Sequence, residues 1–103
     1  MKIDEAIAML EAHGGSAKKI GVDYSVNYGG DKSIMTADKL IAWVCECRRQ
    51  EIRYEIQNEY PREGELTNDR KAYICALKKE YESLGPADDF TKDFDFLLNM
   101  KTE

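Results

Sequence analysis

The sequence has few of the residues from which catalytic and metal sites are built. His13 is the only histidine, which excludes metal sites with several imidazole ligands and mechanisms that need two imidazoles. Cys45, Cys47 and Cys75 are an odd number of cysteines, and the first two lie two apart in a predicted helix, where their side chains diverge. No P-loop, GxSxG or HExxH motif occurs. The sequence therefore predicts no catalytic residue, no cofactor site and no metal site.

Long apolar runs are also absent. No stretch approaches 18 consecutive apolar residues, which excludes a membrane-spanning helix in this sequence. Charged side chains occur at positions 2, 4 and 5, so the first residues lack the apolar core of a signal peptide. We interpret the three cysteines as reduced, mostly buried thiols. These observations lead us to expect a cytoplasmic protein that does not contact membranes.

The chain contains only 2 prolines, no internal repeat and no low-complexity tract that would act as a linker. Its length of 103 residues is typical of a single domain. Leu, Ile, Val and Phe make up about a fifth of the residues, close to the composition at which disorder begins. Six Tyr, one Trp and four Met add burial. We predict a single small domain, residues 1–103, with a modest core.

Helical periodicity predicts four helices, at about residues 3–13, 36–60, 67–84 and 90–101. Their ends carry N-cap residues and glycine or proline stops: Gly14-Gly15, Thr36, Pro61, Thr67 or Asn68, and Gly85-Pro86. The second helix would be about 35 Å long, more than a domain of this size needs. We therefore expect its last turns to project or to contact a partner.

The period changes to two between residues 20 and 28. Every even position there is apolar or aromatic, namely Ile20, Val22, Tyr24, Val26 and Tyr28. A glycine turn follows, and residues 32–35 can run back as a second strand. We predict a β-hairpin over about residues 20–35, with its loop length left open between two and three residues. Four helices and one hairpin make an α+β fold.

The net charge of −5 lies entirely in the second half of the chain, because residues 1–50 carry equal numbers of acids and bases. Two acidic blocks, residues 51–65 and 86–103, flank a nearly neutral predicted helix. This charge argues against direct nucleic-acid binding, which needs a basic surface. We interpret Arg48, Arg49 and Arg53 as part of a salt-bridged, solvated helix face.

The acids around residues 88–95 do not fit a calcium loop. Phe90 and Phe94 interrupt the alternating ligand positions, and the twelfth position from Asp88 is Asn99 rather than glutamate. We interpret these acids as stabilising a helix N-terminus.

Tyrosines are favoured interface anchors, and exposed acids suit a basic partner. The candidate partner-binding residues are Tyr28, Asp31, Tyr54, Tyr60, Glu63, Glu65, Asp88 and Asp89.

These features favour a non-catalytic, acidic protein-binding domain with a basic protein partner. A specific form of this hypothesis is an inhibitor that occupies the nucleic-acid groove of a nuclease or defence complex. Small acidic chains without motifs are common among phage anti-defence inhibitors and immunity proteins, and the likeness here is one of composition. The alternative is a homodimer or an accessory subunit that uses the long helix or the hairpin edge as its interface. An enzyme and a direct nucleic-acid binder are less favoured.

Overall fold

A computed structural model describes residues 1–102. Within this range the chain forms four helices and five short strands, in the order α1 (Ile3–Ala12), β1 (Ser16–Ile20), β2 (Asp23–Tyr28), β3 (Asp31–Met35), α2 (Ala37–Glu59), β4 (Glu65–Leu66), α3 (Asn68–Leu84), α4 (Thr91–Leu98) and β5 (Lys101–Thr102). The predicted α+β class is confirmed. The chain divides into two compact units, unit 1 (Met1–Cys47) and unit 2 (from Arg48 onward).

Unit 1 contains an antiparallel sheet in the order β1-β2-β3. Tyr28 pairs with Asp31 across a two-residue loop, which settles the loop length of the predicted hairpin. Gly29 and Gly30 both have positive φ, 61° and 86°, as a type I′ turn requires. This turn matches the right-handed twist of the two strands that it joins. The predicted hairpin is thus confirmed for β2 and β3.

The sheet also contains β1, which the sequence prediction missed. Ile20 pairs with Asp23, so Gly21 and Val22 form a second two-residue turn. Val22 is 87% exposed, and our expectation that it lies on the half-buried face of a strand is wrong. The alternating pattern continued through this turn by coincidence. Most residues of β1 are small or charged and give no apolar signal.

The core of unit 1 is small and aliphatic. Its buried members are Ala6 and Leu10 of α1, Val26 of β2, and Leu40 and Val44 of α2. The hydroxyl of Thr36 accepts a hydrogen bond of 3.2 Å from the Lys39 amide, so the predicted N-cap of α2 is confirmed. The hairpin packs on helical side chains, as the marginal stability of an isolated hairpin requires.

The core of unit 2 is larger and includes aromatic rings. Its fully or almost fully buried members are Ile52, Ile56, Leu66, Ile74, Leu77, Tyr81, Phe94 and Leu97. Since Ile52 and Ile56 belong to this core and Tyr60 packs against it, the last turns of α2 do not project as expected. At the start of α3 the Thr67 hydroxyl accepts from the Arg70 amide, which makes Thr67 the N-cap.

The last predicted helix is shorter than expected. α4 ends at Leu98, whereas the apolar pattern extended the prediction to residue 101. Lys101 and Thr102 instead pair in parallel with Glu65 and Leu66. The Lys71 ammonium also donates hydrogen bonds to the Met100 carbonyl and the Thr102 hydroxyl. These bonds, formed across about thirty residues of sequence, satisfy the backbone of a segment that local periodicity assigned to a helix.

Candidate protein-binding site

Two of the predicted partner-binding residues, Tyr28 and Asp31, lie together in unit 1. They are direct cross-strand partners at the turn between β2 and β3. Side chains of paired residues project from the same face of a sheet. The register places Val26 opposite Ser33 and Tyr24 opposite Met35 on that same face. The fold thus collects a set of side chains on one face that the sequence spreads over twelve positions.

Part of this face remains open as a shallow depression of about 270 Å³, which we call the aromatic depression. Its lining residues are Val26, Tyr28, Asp31, Ser33, Met35 and Trp43. The rings of Tyr28 and Trp43 have centroids 5.6 Å apart and planes inclined by 80°. Two aromatic rings therefore meet at nearly a right angle, with one carboxylate at the rim. The depression therefore combines apolar and aromatic side chains with the polar side chains of Asp31 and Ser33.

Strand β3 forms an edge of the sheet beside the aromatic depression. Antiparallel partners alternate between pairs that exchange hydrogen bonds and pairs that do not. Since the residues flanking a two-residue turn bond to each other, the N–H and C=O groups of Asp31, Ser33 and Met35 face β2. Those of Lys32 and Ile34 therefore point away from the sheet. Residues 31–34 are all exposed, and β3 has only one neighbouring strand among the described residues, so this edge is accessible to another strand.

Four further predicted residues lie in unit 2. Tyr54 is 66% exposed, and Tyr60 is half-buried against the core. Burial, followed by the nearby Glu55 carboxylate, raises the pKa of Tyr60. Glu63 and Glu65 are exposed. Of these four side chains, Tyr54 and the two glutamates are the ones that solvent reaches most freely.

Glu63 and Glu65 belong to a continuous run that we call the acidic segment, residues 59–69. Its acids, Glu59, Glu63, Glu65 and Asp69, are all exposed. Arg62, the one base within it, forms a salt bridge of 3.3 Å with Asp93. Among the described residues, no ion pair neutralises the four acids of this segment. It therefore presents concentrated negative charge to solvent.

Asp88 lies in an internal network. Its carboxylate accepts hydrogen bonds from the Tyr81 hydroxyl at 2.7 Å and from the Arg49 guanidinium at 3.0 Å. The hydrogen bond from Tyr81 is the main reason that the pKa of Asp88 is lowered, while burial raises the pKa of Tyr81. Asp89 is different, because its side chain is fully exposed and makes a single long ion pair, of 4.0 Å with Lys92, among residues 1–102.

Arg49 is the most deeply buried charged residue that the structure describes, at 8% exposure. Its guanidinium stacks on the Tyr81 ring with 4.2 Å between the Cζ atom and the ring centroid. It also donates to the Pro86 carbonyl. The sequence interpretation places Arg48, Arg49 and Arg53 together on a solvated face. That interpretation is wrong for Arg49, whose hydrogen bonds to Pro86 and Asp88 hold the loop after α3. Arg48 forms a bidentate salt bridge with Glu80.

Sequence reasoning missed Trp43, Ser33 and Met35 as members of the depression. Trp43 is only at the margin of the apolar stripe of α2, and this marginal position was the available signal. Ser33 and Met35 share alternate positions with Asp31 on β3, which the hairpin prediction contained without assigning a face. Their assembly depends on contacts between a sheet and a helix that are distant in sequence.

Other site chemistry is sparse. Cys45 is a buried thiol, and Cys47 and Cys75 are half-buried thiols. Among residues 1–102, no group of three His, Cys, Asp or Glu side chains is arranged to hold a metal ion. No helix in the same range combines the length and apolar character needed to cross a bilayer.

Comparisons with protein-family models, curated proteins and solved structures gave no match.

Proposed function

We propose that this chain is a non-catalytic domain that binds a basic protein. The observation that carries the proposal is the acidic segment, in which four exposed acids lie within eleven residues without an ion pair among the described residues. Two bases of unit 2 are paired with acids outside the segment, Arg48 with Glu80 and Lys78 with Asp95. Concentrated charge of one sign attracts a partner of opposite sign and speeds its association.

The specific form of the proposal is an inhibitor of a nucleic-acid-handling protein, acting in the cytoplasm. A protein that binds DNA or RNA carries a basic groove that contacts phosphates. Exposed carboxylates spaced along a short segment can occupy such a groove and exclude the nucleic acid. No residue of this chain is proposed to carry out chemistry, and the partner supplies the activity that is blocked. The phage anti-defence or immunity type of inhibitor is the form we favour.

The test begins with affinity capture by the full chain from extracts of its source cells, followed by measurements on the purified pair. We expect a partner with net positive charge whose duplex DNA or RNA is displaced by this chain. Raising the salt from 50 to 200 mM should weaken the complex by about tenfold or more, because salt screens exposed charge. A neutral or acidic partner, or a complex whose affinity does not change with salt concentration, would refute the proposal.

The acidic segment is tested with a matched pair of double variants. E63K/E65K reverses two charges in the segment, and E11K/E82K reverses two exposed charges outside it with the same change in net charge. We expect E63K/E65K to weaken partner binding at least about tenfold more than the control does. Equal effects of the two variants would mean that only total charge matters, and this would remove the segment from the proposal.

A homodimeric accessory subunit is the second candidate. The exposed edge of β3, with Ile34 largely in solvent, is the observation that favours it, since open edges pair with other strands. The monomer mass is 11.8 kDa. Sedimentation equilibrium at high concentration that returns twice this mass would support the dimer, and a monomer would refute it.

A further inference from the structure

We propose that the aromatic depression binds a lysine side chain of the basic partner. The lysine belongs to an extended segment of the partner that pairs with β3 as an additional strand of the sheet. The inference rests on the proposed function, because it names the part of a basic partner that unit 1 would bind. It assigns the acidic segment to attraction and the aromatic depression to recognition. The two surfaces can therefore be tested separately.

The chemistry of the depression suits a lysine. The faces of tryptophan and tyrosine rings attract cations, and Trp43 and Tyr28 provide two rings at 80° to each other. A compact ammonium can contact both rings, whereas a planar guanidinium stacks flat on one. Asp31 is the only charged residue in the lining, and its sign complements the ammonium. Val26 and Met35 offer apolar contact for the methylene stem.

The size of the depression is consistent with one side chain. Its volume of about 270 Å³ is below the usual range for pockets that enclose drug-sized ligands. A single long side chain gains little affinity by itself, so a second source of binding is needed. Main-chain hydrogen bonds from an added strand supply it, and pockets for alternate side chains then supply specificity.

The register of β3 brings these two sources together. The outward N–H and C=O groups of Lys32 and Ile34 offer four hydrogen-bonding positions to an added strand. A residue placed opposite Ser33 projects from the same face as Ser33, which lines the aromatic depression. In an antiparallel arrangement this position is a non-hydrogen-bonded pair, with Cα atoms about 4.5 Å apart. A lysine at this position is therefore beside the two rings.

A second copy of this chain is a poorer occupant. If two β3 strands pair about a two-fold axis at Ser33, each Lys32 lies opposite Ile34 on the other face of the sheet. The residue opposite Ser33 is then the other copy's Ser33, which is short and neutral. The depression would receive no cation. Charge complementarity thus favours a lysine-bearing partner over self-association.

The test uses a blocked peptide, Thr-Val-Thr-Lys-Thr-Val-Thr, and the full chain. Trp43 is the only tryptophan, so its fluorescence reports directly on the depression. We expect the peptide to change this emission and to shift the amide NMR signals of Lys32 and Ile34. Replacing the lysine by norleucine, which keeps the stem and removes the charge, should weaken binding about tenfold. Proline at the third and fifth positions, which removes two main-chain donors, should abolish binding.

Two protein variants provide a matched comparison. Asp31 and Asp23 each follow a two-residue turn of the same sheet, and Asp31 alone lines the depression. D31N should weaken the lysine peptide about tenfold, while D23N should leave its affinity unchanged. Circular dichroism without peptide verifies that both variants keep the native fold.

Several results would overturn the inference. These are an unchanged Trp43 signal up to millimolar peptide, equal affinities for the lysine and norleucine peptides, or equal effects of D31N and D23N. A dimer in sedimentation experiments whose formation shifts the Lys32 and Ile34 amide NMR signals would also overturn it. Failure here remains distinguishable from failure of the proposed function. If the intact partner binds through the acidic segment and the peptide does not bind, only the present inference fails. If the peptide binds and no basic partner exists, the proposed function fails.

Discussion

Units 1 and 2 are built on different physical principles, although they are similar in length. Unit 1 buries five small or medium aliphatic residues and leaves its aromatic rings at the edge of the core. Unit 2 buries Tyr81 and Phe94 completely and adds a network of charged hydrogen bonds around them. We therefore expect unit 2 to contribute most of the stability, while the open depression of unit 1 is the part that the proposed recognition of a lysine side chain would use.

The network in unit 2 depends on an arginine that lies against a tyrosine ring. Arg49 stacks on Tyr81 and bonds Asp88, while Arg53 donates to the Tyr81 hydroxyl at 3.0 Å. The Tyr81 hydroxyl therefore has both a donor and an acceptor partner although the residue is fully buried. A buried hydroxyl or guanidinium that loses its partner is costly, so this network is sensitive to single changes. Unit 2 is therefore the region in which single substitutions should destabilise the chain most.

The largest expected effect is a difference in stability loss between substitutions in the two cores. Y81A should lower the free energy of unfolding by about 4 kcal/mol, because it removes a buried aromatic ring and leaves Asp88 and Arg53 without their hydroxyl partner. V26A, in the core of unit 1, should cost about 2 kcal/mol. Urea denaturation and hydrogen exchange, read separately for each unit, measure both values. Y81F isolates the hydroxyl and should cost about 1 kcal/mol. Equal losses from Y81A and V26A would contradict the comparison.

The next effect concerns the close approach of Gly85 to Arg49. A Cβ atom at residue 85 would lie 2.6 Å from the Arg49 Nη1 atom, and the extended φ of 177° excludes backbone strain as a cause. G85A should therefore destabilise the chain by about 2 kcal/mol through overpacking. In an R49A background most of this cost should disappear, which a double-mutant cycle by urea denaturation detects. A cost that stays the same in both backgrounds would show that it does not arise from the contact with Arg49.

The smallest effect is a pH dependence specific to the network. The pKa of Asp88 is lowered, mainly by the Tyr81 hydrogen bond, so its contribution to stability is present above about pH 4 and is lost as the pH falls through the lowered value. D88N should cost about 1 kcal/mol at pH 7, a modest value because the carboxylate is 40% exposed. The stability difference between native protein and D88N should then shrink with acidification. D89N is the control, since Asp89 is fully exposed, and it should show neither effect.

Much of the fold could be predicted from local sequence signals. Thr36 is the predicted cap of α2 and Thr67 is one of two predicted caps of α3, and both form the expected side-chain bond to a backbone amide. The stops at Gly14-Gly15 and Gly85-Pro86 were found for the same reason, because caps and stops act within a few residues. Strand β1 was missed because its polar sequence carries no periodicity, and β5 because its pairing partner is far away in sequence.

The candidate site was predicted less completely. Tyr28 and Asp31 were selected on residue type and turn position, and the fold brings them together. Trp43, which completes the depression, was not selected, since no local pattern places an α2 residue beside the β2–β3 turn. Asp88 was selected as a surface acid, and the structure places it in bonds to Arg49 and Tyr81. Charge counts along a sequence do not distinguish an exposed carboxylate from one that is already paired.

The sequence by itself determined the α+β class, most of the helix ends and the location of negative charge in the second half of the chain. These properties follow from interactions within a few residues or from composition alone. Only the tertiary structure decided which acids remain unpaired, which aromatic rings line a depression and which strand edge is open. The physical reason is that partners such as Arg49 and Asp88, or Tyr28 and Trp43, meet through long-range packing. Contacts between residues that are distant in sequence leave no signal in the local periodicity from which helices and strands are predicted.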